Sequence, residues 1–272
     1  MDRALSVACI QLSSQADRDA NLKRVEARVN EAAEAGAKLV LLPENFAYFG
    51  EEEEKRAFAE DLDRGDGPIA TTLAGLASRH GLHLVAGGLP EQSGDRARPF
   101  NTCAVYGPDG ALVTRYRKLH LFDVDLPDGT RYRESEGTAA GEAPVVVDLL
   151  GCRVGLSICY DLRFPELYRA LSTQGAEVLV VPAAFTLATG KDHWHVLLRA
   201  RAIEAQAYVL AAAQWGKHSR GRMTYGKSCV IDPWGEVVAQ ASEGEGLVLA
   251  RLDPAYLARV RALVPSLCHR RL

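Results

Sequence analysis

The chain has 272 residues, 47% of them hydrophobic, and a formal net charge of −3. That suits one large domain, or two small ones, with an ample core. Charges of both signs are spread along it, which excludes a basic nucleic-acid stripe or an acidic disordered tail, and no apolar run is long enough to span a bilayer.

In chain order, "LSVACIQL" reads as a strand, entered with no signal-peptide pattern before it. Leu22, Val25, Val29, Ala32 and Ala33 then recur at helical spacing behind a cap at Asp17 or Asp19. "KLVLLPE" is continuously apolar up to its end, the mark of a strand buried on both faces. The run Glu51 to Glu54, followed by Lys55 and Arg56, reads as a solvated helix start. "PIATTLAGLASRHG" opens with Pro68 and closes with Gly81, as helices do. "HLVAGGL" is a strand, and "TCAVY" and "ALVTRYRK" form a hairpin over Gly107-Pro108-Asp109-Gly110. Leu119 to Gly141 reads as a long polar loop, a length usually tied to function or disorder.

The second half repeats this logic. "VVVDLL" and "RVGLSIC" are strands, "RFPELYRALSTQGA" a helix, "EVLVVPA" a strand, "HWHVLLRARAIEAQA" a helix and "YVLAAAQ" a strand. "SCVIDPWGEVVAQA" is a hairpin, "GLVLARLD" a last strand, and a tail helix begins near Pro254. "GAKLVLLPENF" echoes "GAEVLVVPAAF". The echo fits either convergence of two buried strands or two related half-domains packed sheet on sheet. Cys9, Cys103, Cys152, Cys159, Cys229 and Cys268 are scattered, unlike a disulfide framework or a zinc ribbon, so free thiols in a cytoplasmic protein are expected.

Two chemistries are set aside on context. Gly221 to Ser228 spells the phosphate-loop pattern G-x-x-x-x-G-K-S, but a strand and a turn follow where that loop needs a helix N-terminus. A nucleotide-binding module built on it stands only as the non-hydrolase alternative. His193 and His195 are two apart and point to different helix faces, so no metal site is expected.

Polar residues at strand ends remain. Glu44 closes "KLVLLPE", and Lys118 closes "VTRYRK". Cys159 closes "RVGLSIC", just before a helix start at Pro165 and near Arg163. Each has a bland alternative: a surface carboxylate, an edge lysine, a core thiol. A helix N-terminus and a cation beside Cys159 would lower its thiol pKa. A Cys nucleophile, a Glu base and a Lys oxyanion donor suit amide hydrolysis, with the Tyr160 backbone N–H as a second donor. Nothing in their spacing brings the three together.

"LLPENF", "YRKLHLFD" and "ICYDLRFPEL", in this order, resemble the three signature segments of the nitrilase superfamily of carbon–nitrogen hydrolases. The similarity runs from "SVACIQL" to "LVLARLD". It implies one α/β domain over 1–272, a four-layer α-β-β-α sandwich, assembling as a homodimer or higher homo-oligomer with the 255–272 tail at an interface. It implies a Glu44, Lys118 and Cys159 triad, a further Glu at Glu134 in "YRES", and no metal or organic cofactor. Its partner is a small-molecule amide, with no role for nucleic acid or membrane. "CYDLRFPELYRAL" and "LLRARAIEAQ" resemble the branch of deaminated-glutathione amidases and omega-amidases, closer to the former. Both substrates carry a 2-oxo carboxylate, for which Arg163 is the expected partner, unless it pairs with Asp161 or Glu166 instead. Phe185 and Thr186 are expected to line the pocket, unless they belong to the core. Trp215, in "AAAQWGKHS", would put a bulky ring at a pocket rim.

Overall fold

The computed structural model describes residues 1–125, 129 and 131–271; residues 126–128 and 130 of the predicted 119–141 loop, and residue 272 of the predicted tail, lie outside the described residues. The elements in order are β1 (Leu5–Gln11), α1 (Arg18–Glu34), β2 (Leu39–Leu42), α2 (Glu52–Ala57), α3 (Pro68–His80), β3 (His83–Glu91), β4 (Phe100–Tyr106) and β5 (Leu112–Arg117). Next come β6 (Asp123–Asp125), β7 (Arg131–Arg133), α4 (Glu134–Gly137), β8 (Val145–Leu149), β9 (Cys152–Leu156), α5 (Pro165–Thr173), β10 (Val178–Ala183) and α6 (Leu187–Ala205). The chain ends with β11 (Tyr208–Ala213), β12 (Trp215–Lys217), β13 (Met223–Tyr225), β14 (Cys229–Ile231), β15 (Val237–Gln240), β16 (Gly246–Leu252) and α7 (Pro254–Leu263).

Local chemistry sets the helix ends. Asp17 caps α1 by accepting from Ala20 N at 3.0 Å. The first turn of α3 has N–H groups with no helical acceptor, and the Glu60 carboxylate takes two of them, Ile69 N at 2.7 Å and Ala70 N at 2.8 Å. Gly81 closes α3 in the left-handed region.

Two six-stranded sheets result, in the orders β16-β1-β2-β3-β4-β5 and β15-β14-β11-β10-β9-β8. In the first, β1, β2 and β3 are parallel and the flanking strands antiparallel. In the second, β9, β10 and β11 are parallel with antiparallel flanks. The echo in the sequence is therefore topological: β2 and β10 are each the middle strand of a parallel trio. Along the first sheet successive residues alternate between two cores. Val7, Cys9, Leu39, Leu41 and Val85 join the core shared with the second sheet, while Ala8, Ile10, Val40, Leu42 and Leu84 pack toward α1 and α3. The second sheet packs against α5 and α6 on its other side. This is the predicted α-β-β-α sandwich.

The sheets approach closely where the two glycines of "HLVAGGL" lie. A Cβ on Gly87 would stand 1.9 Å from Pro182 Cβ, and one on Gly88 would stand 2.5 Å from Glu44 Cγ. Three expectations need correction. The predicted 119–141 loop carries the hairpin of β6 and β7 and the helical turn α4. The helix predicted from His193 starts a turn and a half earlier, at Leu187, because Thr186 caps it. Trp215 begins an unpredicted hairpin, β12 with β13, and packs over Gly226 away from the cavity described below. One expectation holds: Gly221 to Ser228 runs through β13 and a left-handed turn at Gly226 and Lys227 up to β14, so no helix follows to receive phosphate. Among the described residues no helix is long and apolar enough to cross a membrane.

Candidate active site

A cavity of about 430 Å³ opens where β2, β10, the end of β5 and the β6–α4 segment meet. Glu44, Lys118, Glu134, Cys159, Tyr160, Arg163, Phe185 and Thr186 all line it. Glu44 follows β2 across Pro43 and is buried. Its Oε1 accepts from Lys118 Nζ at 3.0 Å and Asn101 Nδ2 at 2.9 Å, and its Oε2 accepts from Ala184 N at 3.0 Å. Ala184 directly follows β10, so the echoed strand supplies the amide that orients the carboxylate of its counterpart. Gly88, at φ +67°, leaves the room Glu44 needs.

Lys118 is 2% exposed, and its ammonium has three donors to satisfy. They go to Glu44 Oε1, Glu134 Oε1 at 3.1 Å and Glu134 Oε2 at 2.9 Å. Burial opposes the charge, but the carboxylates of Glu134 and Glu44 outweigh it and hold the ammonium well above the ordinary lysine range. Glu134 opens α4 and also accepts from Phe122 N at 2.7 Å and Asn101 Nδ2 at 3.1 Å. Burial works against its ionisation too, and Lys118 overrides it, holding the carboxyl below the ordinary glutamate range.

Cys159 departs from expectation in two ways. It does not end the strand, because β9 stops at Leu156. Cys159 instead opens a 3₁₀ turn, Cys159–Arg163, at φ +47°, a region that costs an L-residue about 1–2 kcal/mol. Buried Asp161 holds this turn. Its Oδ2 accepts from Ile158 N at 2.8 Å and Tyr116 Oη at 2.7 Å, and its Oδ1 accepts from His120 N at 3.1 Å. His120 Nδ1 lies 2.7 Å from the same Oδ1. One carboxylate thus ties the Cys159 turn to the segment after Lys118. The thiol pKa is also not lowered. Burial pushes it well above the ordinary range and the Glu44 carboxylate pushes the same way, against Lys118, so the helix start at Pro165 and Arg163 do not prevail.

Among the described residues Arg163 makes no ion pair with Asp161 or Glu166. Its guanidinium lies 5.1 Å from the Phe185 ring centroid, and Nη1 is 3.3 Å from His193 Nδ1. Phe185 also packs on Trp194, and Thr186 caps α6, so both serve the fold as well as the cavity wall. Among the described residues no three His, Cys, Asp or Glu side chains are grouped to hold a metal ion. Sequence reading missed Asn101, the Ala184 amide, Asp161 as an anchor, and the cavity-lining Phe49, Tyr132 and Arg222. Of these only Asp161 carried a signal, as an acidic residue two places after the cysteine.

The carbon-nitrogen hydrolase family profile matches residues 6–262. The chain is 46% identical to the deaminated glutathione amidase of Synechocystis over 266 residues, 97% of each chain. It is 39% identical to the omega-amidase of Danio rerio over 266 residues, 97% of this chain and 94% of that one. The crystal structure of the C. elegans NitFhit protein superposes with a TM-score of 0.92 at 40% identity, covering 99% of this chain and 65% of that one. The chain belongs to the carbon–nitrogen hydrolase family, the nitrilase superfamily, in the branch of the deaminated-glutathione amidases and omega-amidases.

Proposed function

We propose that this hydrolase cleaves amides of 2-oxoglutarate through a Cys159 thioester, with deaminated glutathione as its preferred substrate and 2-oxoglutarate and cysteinylglycine as products. The observation that carries the reading is the buried Lys118, bonded to both Glu44 and Glu134 beside Cys159. Because the thiol is held neutral, a base must take its proton as it attacks, and Glu44 is within hydrogen-bonding reach of it.

The thiol sulfur bonds to the amide carbon while its proton passes to Glu44. Negative charge leaves the carboxylate and appears on the carbonyl oxygen, so the net charge of the buried cluster is constant. As Glu44 is protonated its bond to Lys118 loosens, and the Nζ–H so released donates to that oxygen together with the Tyr160 N–H; the first N–H groups of a 3₁₀ turn have no acceptor inside it. The C–N bond then breaks as Glu44 returns the proton to the leaving nitrogen. Water adds to the thioester with Glu44 as base, and collapse expels the sulfur, which regains its proton. Glu134 and Asn101 hold Lys118 and Glu44 in register. Arg163, over Phe185 and near Thr186, receives the 2-oxo carboxylate.

The relatives named deaminated glutathione amidase support the dipeptidyl substrate, and those named omega-amidase support 2-oxoglutaramate as the second reading. Cys159→Ala tests the mechanism: persistence of 2-oxoglutaramyl amide hydrolysis would sink it. Comparing kcat/KM for the two substrates tests the preference, and a ratio near unity would overturn it. We also infer a homodimer, since Ile203, Trp234 and Val264 line one surface groove and are about half exposed. A monomeric sedimentation coefficient would refute that. The six free cysteines support a cytoplasmic setting, which cell fractionation checks.

A further inference from the structure

The cavity wall carries more guanidinium and ammonium groups than one carboxylate needs. Arg131, Arg133, Arg163, Arg222, Lys55 and Arg56 all reach it. Besides Arg222, three of the six are paired with nearby carboxylates. Arg133 grips Asp125 with bonds of 2.7 and 2.9 Å, Arg131 lies 3.3 Å from the same carboxylate, and Lys55 lies 3.9 Å from Glu52.

Arg222 is held differently. Its only side-chain hydrogen bond among the described residues runs from Nη1 to Glu52 Oε1, at a long 3.3 Å. Glu52 is 47% exposed, so this is a solvated pair of small worth, easily exchanged for a better acceptor. The guanidinium lies 5.9 Å from the Phe49 ring centroid and 6.0 Å from that of Tyr132, and Nε and Nη2 have no protein acceptor among the described residues. One turn along α2 from Glu52, Arg56 packs against Gly137, and its buried Nε also has no partner. Arg163 shares none of these neighbours; it contacts Tyr160, Phe185 and His193. The wall thus offers two separate guanidinium positions, each short of acceptors. Glu52, Glu53 and Glu136 are the acidic groups on this wall besides Glu44 and Glu134, and only Glu52 touches Arg222.

We propose that Arg222, seconded by Arg56, is a subsite for a second carboxylate, the C-terminal carboxylate of a dipeptidyl leaving group. This rests on the substrate reading above and decides between its two members. 2-Oxoglutaramate releases ammonia and has nothing to reach Arg222. Deaminated glutathione releases a dipeptide whose carboxylate does. The stretch that spells a phosphate loop therefore contributes an anion-binding arginine after all, through its second residue and not through its glycines. A planar, two-pronged bond from Nε and Nη2 suits a carboxylate.

Three substrates separate the possibilities: 2-oxoglutarate amide-linked to cysteinylglycine, the same compound with its C-terminus as a carboxamide, and 2-oxoglutaramate. The wild type should prefer the free carboxylate over the carboxamide by about tenfold or more in kcat/KM. Arg222→Gln should lower kcat/KM for the free-carboxylate substrate by about tenfold to a hundredfold, change the other two by less than about threefold, and so erase the preference. Arg222→Lys should restore part of it. The subsite is overturned if the wild type treats carboxylate and carboxamide alike, a result independent of how any variant folds. It is equally overturned if Arg222→Gln depresses all three substrates together, or none. If the wild type cleaves none of the three, the substrate reading itself fails and the subsite falls with it.

Discussion

Asp161→Asn perturbs the turn that presents Cys159 while keeping its shape. The carboxylate has no exposed surface, and each oxygen faces two groups: Ile158 N and Tyr116 Oη at Oδ2, His120 N and Nδ1 at Oδ1. An asparagine has one acceptor oxygen, so whichever way it turns, one backbone N–H, of Ile158 or of His120, meets an NH₂ group, while the Tyr116 hydroxyl or the His120 ring nitrogen beside it can accept instead. A buried donor left unpaired costs about 1–3 kcal/mol, less a smaller gain from no longer burying a charge. At about 2–4 °C per kcal/mol for a chain of this size, Tm should fall by roughly 3–12 °C. The released turn can also relax Cys159 from φ +47°, so kcat should fall about tenfold or more when measured well below the transition. Thermal unfolding followed by circular dichroism gives the first quantity and initial rates give the second. A Tm within about 2 °C of wild type, with kcat within about twofold, would refute the anchoring role.

Gly88→Ala tests the close approach behind Glu44. Its Cβ would lie 2.5 Å from Glu44 Cγ and 2.9 Å from Glu44 Cα, at a backbone φ of +67°. It should cost about 2–4 kcal/mol and lower kcat at least about tenfold; normal activity would show that Glu44 tolerates displacement. Glu134→Gln tests the buried ion cluster through pH. Glu134 has a folded pKa below its unfolded one, so its stabilisation is present above the ordinary glutamate range and is lost as pH falls through the folded value. The raised Lys118 pKa preserves the pair up to strongly alkaline pH. The stability gap between wild type and Glu134→Gln should therefore be widest near neutrality and close on acidification; a gap independent of pH would refute the pairing.

The sequence by itself determined the elements and which residues stand at their ends. "KLVLLPE" and "EVLVVPA" announced buried middle strands because a parallel strand covered on both faces has no polar alternation, and their likeness proved to be a likeness of position in two matching sheets. Glu44, Lys118 and Cys159 were legible as polar residues closing apolar runs, and Glu134 was legible only through family resemblance. What needed the tertiary structure was convergence and environment. Asn101, the Ala184 amide and Arg222 carry no local signal, since each acts on residues brought to it from another sheet or hairpin. The direction of the Cys159 pKa shift reversed for the same reason. The helix start and Arg163 lie within a few residues and could be read locally, but the burial and the Glu44 carboxylate that outweigh them are supplied by strands packed from the other half of the chain.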